Sequence, residues 1–133
     1  MSDIFAEIYD PIAKALRTNF DGIYVTGEYA DAPPRFPAVS IILADDYIDT
    51  DTMSTKPDEE YSIIMLEVEV YTNKEGYKQT QAREILAPIN AILYDLNFTR
   101  LSTTPVPNMA NQSIYRLVAR YRAETDGTTL YRR

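Results

Sequence analysis

The sequence predicts an α+β fold in which two helices pack on one face of a mostly antiparallel sheet, within one domain spanning residues 1–133. A length of 133 residues matches the common size of one domain. The apolar fraction of 45% is ordinary for a globular protein. The predicted order is helix, three strands, helix, two strands. No strand-helix-strand unit repeats, which argues against a doubly wound parallel sheet.

The first predicted helix covers residues 3–19. Its apolar residues recur at the helical period: Ile4, Ile8, Ile12 and Leu16. Pro11 interrupts this pattern, because proline lacks a backbone donor and clashes with the preceding turn. Two outcomes are open: a kink at Pro11, or a main helix that begins with Asp10 as its cap.

Two strands and a loop follow. Residues 23–29 and 38–46 are rich in β-branched and apolar side chains, which is typical of strands. Residues 30–37 contain three prolines and therefore predict an irregular connection. Residues 47–60 are rich in Asp, Thr and Ser, which predicts an exposed loop or a hairpin tip.

The clearest strand covers residues 61–72, and a helix follows over residues 77–96. Alternate positions of the strand are apolar, and they share one face. The opposite face carries Met65, Glu67, Glu69 and Tyr71. The helix presents an apolar stripe, and we expect Pro88 to bend it.

The last part of the chain predicts two more strands. Residues 97–104 form the first, and residues 105–111 form a loop. Residues 113–124 form a long strand with one largely apolar face and a second face that carries arginines. Asp126-Gly127 is a turn signal, and residues 128–131 form a short final strand or a tail.

The composition excludes the commonest catalytic chemistries. The chain contains no histidine and no cysteine, which removes the usual general base, the thiolate nucleophile and the usual ligands of structural zinc. With four glycines in all, the sequence contains neither a Walker loop nor a dinucleotide-binding loop. We therefore expect a protein that is not an enzyme, with no catalytic residue, no cofactor and no metal.

Charge and hydropathy restrict the partners. A net charge of −7 gives no electrostatic affinity for nucleic-acid phosphates. No apolar stretch is long enough to span a bilayer, and the N-terminus lacks the basic start of a signal peptide. We expect no membrane partner and no specific DNA binding. The eleven tyrosines suit both strands and protein–protein contacts.

Acidic residues crowd the segment 45–60. They are Asp45, Asp46, Asp49, Asp51, Asp58, Glu59 and Glu60. Oxygen ligands at this density suit Ca²⁺ or Mg²⁺, or a metal-dependent hydrolase. The segment lacks the central glycine and closing glutamate of an EF-hand, and the simpler interpretation is a solvated acidic loop.

A second cluster of charges lies on two predicted strands. It consists of Glu67 and Glu69 on one strand and Arg116, Arg120 and Arg122 on the other. If the strands are neighbours, these charges pair across the sheet. The alternative is a subunit interface, where arginine is enriched. We predict a mixture, in which Glu67 pairs with Arg116 while Arg120 and Arg122 contact a neighbouring subunit.

Several short motifs and their order carry a resemblance to a known family. They are a Phe-Pro pair at the start of a strand in residues 35–41, a Val-x-Val-Tyr-x-Asn strand end in residues 66–73, residues 96–100, and an Arg-x-x-x-Arg-Tyr strand in residues 115–122. With an amphipathic N-terminal helix and a second helix beginning near Gly76, they resemble the tail terminator proteins of long-tailed bacteriophages. These proteins are also known as neck, tail completion or minor capsid proteins. The resemblance covers nearly the whole chain.

The resemblance implies a structural protein of virion assembly. Such a protein forms a ring, here expected to be a hexamer, that caps the tail tube, ends tube polymerisation and joins the tail to the head. The implied partners are further copies of the chain, the tail tube protein and the head connector or stopper protein, with DNA passing through the ring without specific binding. The implied location is the tail or neck region of the virion, after assembly in the host cytoplasm. The alternative is another head–tail joining part or a tail tube subunit.

Overall fold

The computed structural model describes residues 4–28, 33–48, 62–107 and 113–125. In these ranges it contains α1 (Ile4–Asn19), β1 (Tyr24–Thr26), β2 (Ala38–Ile48), β3 (Ser62–Thr72), α2 (Lys78–Asp95), β4 (Thr99–Pro107) and β5 (Tyr115–Thr125). The strands form one sheet in the order β1-β2-β3-β5-β4. β1 is parallel to β2, and the other neighbouring strands are antiparallel. The predicted fold class is therefore confirmed.

The core lies between the helices and one face of the sheet, which we call the helix face. The sheet contributes alternate residues of β2, β3 and β5: Val39, Ile41, Ile64, Leu66, Val68, Val70, Leu117, Ala119 and Tyr121. The helices contribute the apolar stripes of α1 and α2. Each fully buried Leu or Ile stabilises the fold by about 1.5–3 kcal/mol, so these stripes hold the helices on the sheet. We call the opposite side of the sheet the outer face.

α1 runs as one helix through Pro11. The expectation that the main helix begins with Asp10 as its cap is therefore wrong. Ile8 and Ile12, which flank the proline, are both fully buried, while Pro11 itself is exposed. Burial of the two isoleucines offsets the loss of about 3 kcal/mol that an internal proline causes.

β4 differs from the predicted strand at both ends. Asn97 belongs to the turn that ends α2, with φ of 72°, and the strand begins at Thr99. The strand then continues through Pro105 to Pro107, where the sequence predicted a loop. β4 is an edge strand, and an edge position tolerates a residue without a backbone N–H.

β2 is longer than predicted and continues to Ile48, with an irregularity between Leu43 and Asp45. Most of the predicted acidic loop, residues 49–60, lies outside the described residues, as do the predicted turn at 126–127 and the segment 128–131. None of the described helices is long and apolar enough to cross a membrane.

Candidate subunit interface

The five charged residues singled out in the sequence all lie on the outer face. β3 and β5 are antiparallel neighbours, and their register sets Glu67 opposite Arg120 and Tyr71 opposite Arg116. The helix-face residues Leu66, Val68 and Val70 occupy the intervening positions of β3. Because side chains alternate along a strand, Glu67, Glu69 and Tyr71 share the outer face with the arginines of β5.

Glu69 is the centre of a buried network on this face. Its side chain has no exposed surface. Arg116 donates two hydrogen bonds to Oε1 of Glu69, one of them from Nε at 2.8 Å. Tyr71 donates its hydroxyl to Oε2 at 3.3 Å. A buried carboxylate needs this degree of pairing, because an unpaired charge in the interior is strongly destabilising.

The network shifts the pKa values of its members. Burial, followed by the charge of Glu69, raises the pKa of Tyr71 from 10.0 to about 12. For Arg116, partial burial acts to lower the pKa, but the hydrogen bond and charge of Glu69 outweigh it and leave the pKa raised. Both shifts favour the states that the hydrogen bonds require, in which the Tyr71 hydroxyl keeps its proton and Arg116 carries its charge.

Ser40 of β2 lies directly opposite Glu69 and is fully buried. Its hydroxyl oxygen has no hydrogen-bond partner among the residues that the structure describes. Ala38 and Val118 on the same face are also buried. The centre of the outer face is therefore closed to solvent.

The arginines nearer the end of β5 are more accessible. Arg120 lies 3.0 Å from Glu67 through Nη2 and Oε1, and its side chain is 48% exposed. Arg122 reaches Glu124 only at 4.0 Å and is 37% exposed. Arg116, by comparison, is 29% exposed. The exposed guanidinium groups of Arg120 and Arg122 can donate further hydrogen bonds to an acidic surface.

The predicted pairing of Glu67 with Arg116 is wrong. Arg116 pairs with Glu69, and Glu67 pairs with Arg120. The register of β3 and β5 sets this choice, because it brings Glu67 directly opposite Arg120. Contact of Arg120 and Arg122 with a second subunit stays a prediction.

Sequence reasoning placed Tyr71 on the charged face but did not count it among the interface residues, and it did not consider Ser40. Tyr71 sits two residues after Glu69 on the same strand, which was the available signal for it. Ser40 gave no signal, because its position opposite Glu69 depends on the register of β2 and β3.

The described residues contain no group of three or more acidic side chains arranged to hold a metal ion. Of the acidic segment, only Asp45 and Asp46 fall within them, as part of β2. The remaining carboxylates of that segment, from Asp49 to Glu60, lie outside the described ranges.

Comparison with known proteins gives a structural neighbour. No protein-family model matches the sequence, and no curated protein matches it. Among solved structures, the chain is similar to one from the virion of a native gene transfer agent (GTA) particle, with a TM-score of 0.60 and 15% sequence identity. The similarity covers 85% of this chain and 90% of that chain. At this identity the similarity establishes a shared fold.

Proposed function

We propose that this protein is a structural subunit of a phage-like virion, and that it forms a ring that caps the tail tube. The observation that carries the proposal is the fold similarity to a chain of the GTA virion, which extends over 85% of this chain and 90% of that one. The order of strand and helix motifs that resembles the tail terminators supports the same class independently. In this role the ring ends tube polymerisation and joins the tail to the head connector in the neck region of the virion.

The outer face has properties that suit a ring subunit. Its centre carries the ion pair between the buried Glu69 and Arg116, which links β3 to β5. Arg120 and Arg122 lie toward the end of β5 and keep exposed guanidinium groups. Arginine is enriched in protein–protein interfaces because its planar group forms paired hydrogen bonds with carboxylates. These two residues are therefore proposed to contact a neighbouring copy.

The charge of the chain is compatible with DNA passing through the ring. A net charge of −7 gives the chain as a whole no electrostatic affinity for phosphates, and in this proposal DNA passes through the channel without being retained. We assign no catalytic activity to the chain, since it contains neither histidine nor cysteine. The partners in this proposal are further copies of the chain, the tail tube protein and the head connector.

The experiment is a tube-length assay. The tail tube protein of the same particle is polymerised in the presence of increasing amounts of this protein, and tube lengths are measured by negative-stain electron microscopy. Tubes that become shorter and carry a ring at one end support the proposal. The matched control is bovine serum albumin at equal mass, which should leave the lengths unchanged.

Three outcomes would overturn the tail-capping role. Tube lengths that do not depend on the protein contradict capping. Polymerisation of the protein itself into long tubes would make it a tail tube subunit, and binding to the connector without any effect on tubes would make it another joining part.

A further inference from the structure

Charge is divided unequally between the two halves of the chain. Residues 1–77 contain 16 of the 20 acidic residues and 5 of the 13 basic ones, which gives a net charge of −11. Residues 78–133 contain the remaining 4 acidic and 8 basic residues, which gives +4. Asymmetry of this size between two parts of one chain points to an electrostatic interaction surface.

The sheet order sets strands from these two parts of the chain at opposite edges of the sheet. β1 and β2 come from the acidic part and occupy one side of the sheet. β5 and β4 come from the basic part and occupy the other side. β3 lies between them, so the β1 edge and the β4 edge belong to parts of opposite net charge.

The β4 edge carries a basic groove on the helix face. The groove, of about 340 Å³, lies between α2 and β4, and its polar lining comes from Arg83 and Asn90 of the helix and from Arg100 and Thr103 of the strand. Apolar and aromatic side chains of α2, β4 and β5 complete it. Among the residues that the structure describes, no carboxylate lines it. The helix-face positions of β4 hold Arg100, Thr103 and Pro105, opposite Tyr121, Ala119 and Leu117 of β5.

The arginines of this groove have no carboxylate partner among the residues that the structure describes. Neither Arg83 nor Arg100 forms an ion pair within the described ranges, and both are exposed. On the outer face, Arg120 and Arg122 lie on β5 beside the same strand, opposite Ser102 and Thr99. Basic side chains therefore flank β4 on both faces of the sheet.

The β1 edge has the opposite character. Asp21 precedes β1 and Glu28 follows it, and both are exposed. Between residues 21 and 35, the part that the structure describes contains two carboxylates, Asp21 and Glu28, and one arginine. That arginine, Arg35, donates from Nε to the carbonyl of Gly22 at 2.9 Å and lies over the ring of Tyr24. The arginine is thus held by backbone and aromatic contacts, and neither Asp21 nor Glu28 has an ion-pair partner in the described part of the chain.

We infer that copies of this chain associate head to tail, with the basic β4 edge of one copy docked against the acidic β1 edge of the next. The inference rests on the proposed function, since it names the contact by which the ring would form. The two edges are different surfaces of one molecule, so the contact is heterologous, and heterologous contacts generate closed rings when the rotation between copies closes. The occupant of the β4 groove is therefore a second copy of the chain.

The test uses charge reversal followed by mixing. The variant Arg83→Glu, Arg100→Glu makes both edges acidic, and the variant Asp21→Lys, Glu28→Lys makes both edges basic. Each variant alone should fail to assemble, which is measured as the mass of the particles in solution. The affinity between copies of the chain should fall on the order of tenfold or more. An equimolar mixture should assemble again, because each acidic groove then meets a basic edge and each basic groove meets an acidic edge.

A control variant separates this effect from total charge. Lys14→Glu, Lys74→Glu changes the net charge by the same amount as the groove variant at exposed positions outside both edges, and it should assemble like the wild type. Circular dichroism of every variant establishes that it is folded. Assembly of the wild type should also weaken as ionic strength rises, because exposed charges are screened.

The outcomes distinguish this inference from the proposed function. If the wild type assembles and caps tubes while both reversal variants still assemble alone, the head-to-tail contact is overturned and the capping role stands. If the variants fail and the mixture does not recover, the two edges do not contact one another, and the inference is again overturned. If the pattern of loss and recovery is found but tubes are never shortened, the contact stands and the capping role fails. A wild type that is monomeric under all conditions overturns both.

Discussion

Glu69 shows how a charged side chain is accommodated inside this sheet. Its carboxylate is wholly buried, and each of its oxygens accepts a hydrogen bond, Oε1 from Arg116 and Oε2 from Tyr71. Removing a partner from such a group leaves a buried charge uncompensated, which costs far more than the intact pair contributes. The stability of the outer face therefore depends on the completeness of this network.

Replacing Arg116 tests that dependence. Arg116→Ala leaves Glu69 buried without its cationic partner, and we expect the free energy of unfolding to fall by about 3–5 kcal/mol. The double variant Glu69→Leu, Arg116→Met should recover much of this loss, because both charges are then absent. Arg122→Ala is the control, and its 37% exposed side chain, 4.0 Å from Glu124, should contribute no more than about 1 kcal/mol. Urea unfolding measures all three, and a loss below about 1 kcal/mol for Arg116→Ala would contradict the network's role.

Tyr71 predicts a dependence on alkaline pH. Its pKa is raised from 10.0 to about 12 in the folded protein, so folding favours the neutral hydroxyl. The stabilisation from this shift is complete below the unfolded pKa and is lost as the pH rises from about 10 to 12. Tyr71→Phe should reduce the slope of stability against pH in this window, whereas Tyr94→Phe, at a position that is 64% exposed, should not. Equal slopes for the wild type and Tyr71→Phe would contradict the assignment.

For a single residue of the sheet, the sequence predicts which face of the sheet its side chain occupies. It does not predict which side chain it contacts. All five charged residues were placed on one face, because side chains alternate along any strand. The ion-pair partner of each residue depends on the register between β3 and β5. A shift of that register by any even number of residues keeps each side chain on its face but changes every pair. The observed pairing of Glu67 with Arg120 instead of Arg116 is a difference of this kind.

Helices and strands could be predicted from the sequence where their apolar pattern is long and regular. The predicted bounds of α2 and β3 are close to the observed ones, because in each element the apolar residues of the buried face recur along its whole length. The ends of β4 were not predictable, because they depend on a single backbone conformation at Asn97 and on the edge position of Pro105. In a sequence, a proline indicates a loop. Only the strand order shows that it lies in an edge strand, where a residue without a backbone N–H is tolerated.

Asn97 offers a test at the level of the element. Its φ of 72° lies in the left-handed region, which glycine and asparagine adopt at helix ends at low cost. Asn97→Ala should destabilise the protein by about 1–2 kcal/mol, because alanine lacks the short polar side chain whose local hydrogen bonds let asparagine adopt this conformation. Asn97→Gly should retain nearly full stability. Thermal unfolding of the pair measures the difference, and equal stability of the two variants would show that this conformation does not determine where α2 ends.

The outer face of the molecule has two parts. Its centre holds the ion pair between the buried Glu69 and Arg116, and near the end of β5 the side chains of Arg120 and Arg122 remain exposed. The charge division between residues 1–77 and 78–133 is present in the sequence, but only the strand order shows that β1 and β4 form opposite edges of the sheet. Non-local strand order cannot be read from local patterns. Which strands form the two edges is therefore visible only in the folded chain.

The exposed arginines give a prediction about assembly. Arg120→Ala, Arg122→Ala should leave a folded chain whose free energy of unfolding changes by only about 0–2 kcal/mol, since partly exposed ion pairs contribute about 0–1 kcal/mol each. At an interface the same change should cost about 2–5 kcal/mol, because partner carboxylates are left unpaired. Sedimentation velocity should therefore show a loss of rings without a loss of folding. Intact rings from this variant would remove both arginines from the interface.

The central claim is that this chain is a ring-forming structural subunit, and the mass of its assembly tests that claim most directly. Native mass spectrometry, run on the protein alone and with tail tube protein present, compares the particle mass with that of the 15.2 kDa chain. The account predicts a discrete species of about six chains, in keeping with closed cyclic symmetry. A single 15.2 kDa species at every concentration, with and without the tube protein, would contradict it.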